Sequence, residues 1–165
     1  MGAAAQQLAG EIKRAFDGPM WHGPAVAELV ASVSSEEAAA HPVPGAHSIW
    51  ELVLHLTAWA EIVRSRLAGT AAARVTTEED WPAVADATPA GWKAAVARLS
   101  DAYRAVATDA GRLDDESLAK VVTGRDHSVS AMLHGVVEHG AYHGGQIAVL
   151  KKAIEASAAS RPSHR

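Results

Sequence analysis

Two histidines, His139 and His143, lie four residues apart in the segment EHGAYHGGQIAVLKK, residues 138–152. On an α-helix, side chains at this spacing are neighbours, about 6 Å apart. Two such imidazoles can bind one metal ion, because zinc–nitrogen bonds are about 2.0–2.1 Å long. The motif is not HExxH, since Glu138 precedes the first histidine and points roughly 100° away from it. The spacing alone is compatible with a metal site but also with a chance pair among nine histidines, and such a site would lack the general base of the zincin proteases.

A stripe of residues at three- and four-residue spacing passes through both histidines: Met132, Val136, His139, His143, Gln146 and Leu150. Because both ends of the stripe are apolar, it should face the interior of the protein. Buried imidazoles need partners, since an unsatisfied buried polar group costs about 1–3 kcal/mol. One metal ion would satisfy both rings. His134 lies about 140° round the helix from His139 and is interpreted as a structural or interface residue.

His55 is the candidate for a third ligand. It lies in HSIWELVLHLTAWAEIVRSRLAG, with Leu52 and Trp59 about one turn away on either side, so it should also face the interior. Taken alone, His55 is better explained as a hydrogen-bonded core histidine than as a metal ligand. Three histidines from two facing helices would leave one coordination position open, as in catalytic rather than structural metal sites. Glu51, one turn earlier, is explained by helix capping, although it is also an acceptor candidate for His55.

Two polar residues near the histidines are candidates for catalytic roles. Gln146 either orients a bound ligand or forms a hydrogen bond with a core histidine or the backbone. Tyr142 either donates a proton or is a half-buried aromatic residue with its hydroxyl group outward. Gly135 lies on the histidine stripe, where a side chain would crowd the pocket. Three further glycines are expected to allow the close approach of a neighbouring helix or subunit: Gly140, Gly144 and Gly145.

Four long segments have helical periodicity, and none has the alternation of a strand. The first covers about residues 4–16 and resumes after Pro24, and the others begin near residues 48, 88 and 128. Their predicted N-caps are Ser48 in a capping box with Glu51, Thr88 before Pro89, and Ser128 or Ser130. Gly69 and Gly111 are predicted to end the second and third helices. The predicted fold class is all-α, a four-helix bundle.

The connections between these helices, roughly residues 34–47, 70–87 and 112–127, are long. Each can cross the ~30 Å length of a twenty-residue helix, so crossover connections between non-adjacent helices are allowed. The segment RVTTEEDWPAVADA is predicted to be a polar loop whose tryptophan, Trp81, packs down as a lid. Trp21, Trp81 and Trp92 suggest an aromatic entrance to a pocket, although ordinary packing at the end of a bundle would have the same pattern.

The composition is that of a globular protein: 48% of the 165 residues are apolar and 21% are charged, which suits a single domain over residues 1–165. The net charge of −4, with no basic run longer than Lys151–Lys152, argues against nucleic-acid or anionic-membrane partners. The absence of cysteine excludes disulfides, thiolate zinc sites and a cysteine nucleophile. No signal peptide or ~18-residue apolar span is present, so a soluble cytoplasmic protein is predicted, with a disordered tail at about residues 157–165.

On the segments HSIWELVLHLTAWAEIVRSRLAG and GVVEHGAYHGGQIAVLKK, the sequence resembles the DinB-like (DinB/YfiT-like) superfamily of metal-dependent four-helix-bundle proteins, over nearly the whole chain. The resemblance implies that His55, His139 and His143 bind a divalent metal ion, commonly nickel or zinc. Related members are transferases that act with bacillithiol or mycothiol, or mycothiol-dependent isomerases. A low-molecular-weight thiol cosubstrate is therefore implied. The family name refers to DNA damage, but the charge of this chain gives no support for DNA binding.

Three functional hypotheses follow. The first is a metal-dependent enzyme whose three histidines hold an ion that activates a thiol or water, giving a transferase or a hydrolase with a small-molecule substrate. The second is a non-catalytic metal-binding or stress-response protein. The third is a metal-free bundle that forms a homodimer through a helical face. A Ser-His-Asp hydrolase is a poor competitor, since the sequence has no GxSxG motif.

Overall fold

The computed structural model describes residues 2–160, and these form eight α-helices. The helices are α1 (Ala3–Asp17), α2 (Val26–Val30), α3 (Ser35–Ala39), α4 (Ile49–Leu67), α5 (Thr77–Asp80), α6 (Pro89–Gly111), α7 (Asp115–Ala119) and α8 (Val129–Ala159). Two isolated bridges are the only β-type pairing in this part of the chain. The predicted all-α class is therefore confirmed, with α1, α4, α6 and α8 as the long helices.

Three of the four long helices, α4, α6 and α8, begin after polar cap residues that the sequence indicates. The hydroxyl oxygen of Ser48 accepts a hydrogen bond from the Glu51 amide, and the Glu51 carboxylate accepts one from the Ser48 amide. Thr88 caps α6 in the same way, and Ser128, rather than Ser130, caps α8. Each cap satisfies backbone N–H groups that have no partner inside the helix.

Short helices occupy parts of all three predicted connections. The helices α3, α5 and α7 are capped by Ser34, Thr76 and Asp114, whose side chains each accept a hydrogen bond from the amide three residues later. A helix of four or five residues is too short to show apolar periodicity, so only its cap is visible in the sequence. At the other end of the chain, α8 continues to Ala159, into the segment predicted to be a tail; residues 161–165 lie outside the described part.

In the bundle, α1 and α4 each pack against both α6 and α8. Helices α1 and α4 therefore lie opposite one another, as do α6 and α8. Two of the three long connections cross the bundle between opposite helices, for which their length is required. This order places α4 directly beside α8, and these are the helices that carry the three candidate ligands. Within residues 2–160, no helix combines the length and the apolar character that crossing a membrane requires.

Two of the glycines of α8 lie at helix contacts. A Cβ atom on Gly140 would lie 3.1 Å from the buried hydroxyl of Tyr103 in α6 and 3.7 Å from Ala15 in α1. One on Gly144 would lie 3.6 Å from Val26 in α2. These two positions match the predicted close approach of neighbouring helices. An added Cβ on Gly145 or Gly135 would meet no atom within 4 Å, so neither is required by packing within the described chain.

Because Gly140 is closely packed and Gly145 is not, we expect substitution by alanine to have opposite effects on stability at the two positions. We expect Gly145→Ala to raise the free energy of unfolding by about 0.8–1 kcal/mol, because alanine is the better helix former and the site is open. Gly140→Ala should lower it by about 1–3 kcal/mol, because the added methyl group overpacks a fully buried contact with Tyr103. Urea unfolding of the two variants, each compared with the unsubstituted protein, measures both effects. Equal stabilisation by both would contradict the close packing at Gly140.

Candidate metal centre

The three predicted ligands meet between α4 and α8. One ring nitrogen from each of His55, His139 and His143 lies within 4.8 Å of the other two. The Nε2 atoms of His55 and His139 are 2.9 Å apart. His55 and His143 are buried and His139 is half-buried, so the cluster lies at the edge of the core rather than on the surface. The stripe spacing on two helices, which pointed each ring inward, thus brings all three together.

The orientation of His55 is set by the end of α5. Its Nδ1 atom donates a hydrogen bond to the backbone carbonyl oxygen of Asp80, at 2.6 Å, and the Asp80 carboxylate lies 3.3 Å from the same nitrogen. A carbonyl oxygen can only accept, so Nδ1 carries the proton. The Nε2 atom is then left with a free lone pair, directed at the other two histidines.

The orientation of His143 is set within α8. Its Nδ1 atom donates to the side-chain carbonyl oxygen of Gln146, at 2.6 Å. Of the two roles predicted for Gln146, the structure therefore shows the hydrogen bond to a core histidine. The Nε2 atom of His143 again keeps its lone pair. A ligating histidine typically has this arrangement, with one nitrogen fixed by an oxygen acceptor and the other free for the ion.

Burial keeps all three imidazoles neutral near pH 7. It is the largest effect that lowers the pKa of His55 and of His143, although hydrogen bonds with Asp80 and Gln146 act in the opposite direction. For His139, burial and then the proximity of the other two rings lower the pKa to about 3. A metal ion binds the neutral form of histidine, so binding requires no net loss of protons from these rings.

Aromatic residues cover the outer side of His55. Trp81 stacks between the rings of His47 and His55, with centroid distances of 3.5 Å and 3.9 Å and nearly parallel planes. The prediction that Trp81 packs down is confirmed, and the imidazole of His55 is what it covers. Trp59 contacts His55 from one turn further along α4 and donates its indole N–H to the Asp80 carboxylate, at 2.6 Å.

Asp80 is the residue of the site that sequence analysis missed. It contributes a carbonyl oxygen to His55 and a carboxylate to Trp59, and so connects α5 to α4. The one available signal was the capping box Thr76–Glu79, which locates the short helix that ends at Asp80. Glu51, the acceptor considered for His55, instead bonds the Ser48 amide and His41.

Other predicted residues lie away from the cluster. Trp21 is fully exposed, and Trp92 is buried in the core with its indole N–H bonded to the carbonyl oxygen of Val33. The predicted aromatic entrance is therefore wrong for these two residues. Tyr142 is largely exposed and contacts the edge of the His143 ring. His134 is exposed and lies 3.8 Å from Glu11 of α1, in agreement with a structural role.

A cleft of about 790 Å³ opens beside the histidines and is bounded at one end by His55 and His139. Its walls are mainly apolar and include side chains from α4 and α8, among them Val63 and Met132. Gly135 also lines it, so a side chain at that position would project into the cleft, as predicted. A small molecule in this cleft would contact the histidine cluster directly.

The sequence model of one protein family, described as the DinB superfamily, matches residues 21–147. The match covers more than half of the chain and includes all three clustered histidines. No curated protein and no solved structure matches the chain significantly.

Proposed function

Because the chain belongs to the DinB superfamily, we propose that it is a divalent-metal-dependent enzyme in which His55, His139 and His143 hold the ion. The observation that carries the proposal is the convergence of three neutral imidazoles at the end of a cleft. Nickel and zinc are the ions that the nitrogen ligands and the family resemblance favour. The substrate is a small molecule, activated together with a low-molecular-weight thiol or with water.

The donor set fits such an ion. Nitrogen ligands on one zinc ion are roughly 3–3.5 Å apart, given bonds of about 2.0–2.1 Å. The nitrogen atoms here are 2.9 Å apart in the closest pair and no more than 4.8 Å apart in any pair, so small side-chain rotations suffice. Without an ion, the Nε2 of His139 must donate its proton to the Nε2 of His55, since His55 is protonated on Nδ1. For an ion to take the place of that shared proton, His139 has only to adopt its other neutral tautomer, in which Nδ1 carries the proton and the Nε2 lone pair is free.

The residues around the cluster orient two of its rings and shield one of them from water. Asp80 and Gln146 fix the rings of His55 and His143, and Trp81 excludes water from the outer face of His55. A zinc ion held by these residues would lower the pKa of a bound water to about 7 and would favour the thiolate form of a bound thiol. The chain has no cysteine, so its own side chains supply no thiolate for such a reaction. A thiolate nucleophile would therefore come from an external thiol, and water is the other nucleophile that the proposal includes.

The cleft favours an enzyme over a non-catalytic metal-binding protein. A structural ion is usually enclosed by four protein ligands, whereas a catalytic ion keeps a position open to substrate. Here three histidines cluster and one of them, His139, is half-buried and lines the cleft. A substrate can therefore approach from the side that the protein leaves uncovered.

Elemental analysis of protein purified without a nickel column tests the metal site, with about one nickel or zinc ion per chain as the expected result. Metal-loaded and metal-stripped samples would then be assayed with bacillithiol or mycothiol and 1-chloro-2,4-dinitrobenzene, and separately with 4-nitrophenyl acetate. Activity that returns on reloading supports the enzyme. A bound ion without either activity would favour the non-catalytic metal-binding protein, and failure to bind nickel or zinc would leave the metal-free bundle.

A further inference from the structure

Two arginines line the same cleft, and their places in the chain put their backbones at the end away from the histidines, because Arg66 lies three helical turns beyond His55 and Arg125 precedes the first turn of α8. Arg66 is in the last turn of α4 and Arg125 is in the connection between α7 and α8. Within residues 2–160, neither guanidinium group forms an ion pair with a carboxylate. The contrast with Arg64 and Arg98 is clear, because those two pair with Asp109 and Glu61 on the surface.

Each guanidinium group nevertheless has one contact that restricts it, although Arg125 is exposed. The Arg66 guanidinium lies over the ring of Trp59, with its central carbon 5.6 Å from the ring centroid. Arg125 donates one hydrogen bond to the carbonyl oxygen of Ala73, at 3.0 Å. Arginine has five N–H donors, so most of those on both residues stay available to a ligand. A pre-positioned pair of this kind loses little side-chain entropy when it binds an anion.

The two positive charges act on one another. Burial, and then the charge of Arg125, lower the pKa of Arg66 from its ordinary value. An anion between the two groups would offset this repulsion and replace the water that Arg66 loses on burial.

The acidic residues of the cleft do not serve as that anion. Asp126 is fully exposed, and its carboxylate lies 3.6 Å from His127. Asp80 lies at the histidine end, where its carboxylate accepts the hydrogen bond from Trp59. The positive charge of the arginine end is therefore directed into a cleft whose walls are mainly apolar.

We propose that Arg66 and Arg125 bind the carboxylate of a small organic substrate, whose apolar part lies along the cleft and whose reacting atom reaches His55 and His139. This inference rests on the proposed function and specifies its substrate class. Guanidinium groups suit a carboxylate because two parallel N–H donors match its two oxygen atoms.

The distances from Arg66 to Trp59 and from Trp59 to His55 limit the length of the substrate. The Arg66 guanidinium contacts the Trp59 ring at 5.6 Å, and the centroid of that ring lies 6.5 Å from the centroid of His55. These two distances together set an upper limit on the separation of the Arg66 guanidinium and the His55 ring, so the spacer between the carboxylate and the reacting atom is no longer than about one aromatic ring with a short carbon chain. The indole face of Trp59 forms part of the wall between them and favours an apolar or unsaturated spacer.

The test compares 4-phenylbutyrate with its uncharged analogue 4-phenylbutyramide, by calorimetry and by quenching of tryptophan fluorescence. The carboxylate should bind about tenfold more tightly or better. In Arg66→Gln and Arg125→Gln this preference should fall below about threefold, with the affinity for the amide unchanged. Arg104→Gln is the matched control, because it removes the same charge from an exposed position on α6, outside the cleft, and should keep the preference.

Measuring the same affinities with and without prior chelation separates this inference from the metal proposal. A preference for the carboxylate that vanishes on chelation but survives in both arginine variants would place the carboxylate on the ion and overturn the inference. So would equal binding of the two compounds, or an equal loss in Arg104→Gln. An arginine-dependent preference in protein that binds no metal would support the carboxylate site while contradicting the proposed metal centre.

Discussion

Metal content should fall from about one ion per chain to less than about a tenth of that in His55→Ala, His139→Ala and His143→Ala. Each substitution leaves two imidazoles, and the affinity should fall by more than the 10–100-fold typical for loss of a residue that only supports a ligand. The cluster has no fourth nitrogen or carboxylate ligand to take the place of the lost ring, since within residues 2–160 the converging group consists of these three histidines. Elemental analysis after dialysis against metal-free buffer measures the loss.

His134→Ala is the matched control for this series. His134 lies on α8 with His139 and His143, but its side chain is exposed and points towards Glu11 of α1. The variant should keep its ion. Retention of the ion by all three cluster variants would contradict the metal centre, and loss of the ion in His134→Ala would show that the assay reports damage to α8 rather than loss of a ligand.

Thermal stability provides a second test of the prediction that the three histidines bind a metal ion. An ion that binds only the folded chain stabilises it by about 2.7 kcal/mol when present at a hundred times its dissociation constant. Added zinc should therefore raise the melting temperature of metal-stripped protein and of His134→Ala, and should have little effect on His139→Ala. This comparison does not depend on how stable each variant is without metal, because every protein serves as its own reference.

Gln146→Leu should weaken metal binding about 10–100-fold, the second-largest effect that we expect. Its side-chain oxygen is the acceptor for Nδ1 of His143, at 2.6 Å. Leucine is similar in size but accepts no hydrogen bond, so the ring of His143 loses its fixed tautomer and orientation. Competition with a chromophoric chelator gives the affinity directly, provided that the variants are compared at one pH.

Two further substitutions test whether the lost hydrogen bond is what weakens metal binding in Gln146→Leu. Gln146→Glu restores an oxygen acceptor and should recover metal affinity to at least that of the unsubstituted protein, because an anionic acceptor makes the imidazole a better ligand. Tyr142→Phe removes the hydroxyl of an exposed neighbour and should leave the affinity unchanged. Equal affinities for the leucine, glutamate and glutamine forms would show that this hydrogen bond does not support the metal centre.

The long helices and the inward direction of the histidines were predictable because both depend on local rules. A cap such as Ser48 with Glu51 needs only four consecutive residues, and both of its hydrogen bonds form in the structure. The period of 3.6 residues per turn determines which side chains share a face, so the apolar neighbours of His139 and His55 indicated burial. Two inward-facing histidines on one helix and a third on another then led to the prediction of a shared ion.

The contacts that complete the site depend on the tertiary structure, because they join segments far apart in the chain. Asp80 meets His55 across 25 residues. Trp92 has the same aromatic character as Trp81, yet it lies in the core, because its helix turns it towards Val33. The local sequence does not indicate which part of the protein a connection of this length will cover.

The sequence by itself determined the fold class, the starts of α4, α6 and α8 and the inward direction of the three histidines, because each follows from spacing within the helix concerned. Only the tertiary structure decided that α4 lies beside α8, that Asp80 and Gln146 fix the rings, and that Arg66 and Arg125 share a cleft with the histidines. The physical reason is that capping and periodicity act over one or two helical turns. The position of a charge relative to a distant ring depends on how whole helices pack and on where their connections cross the bundle.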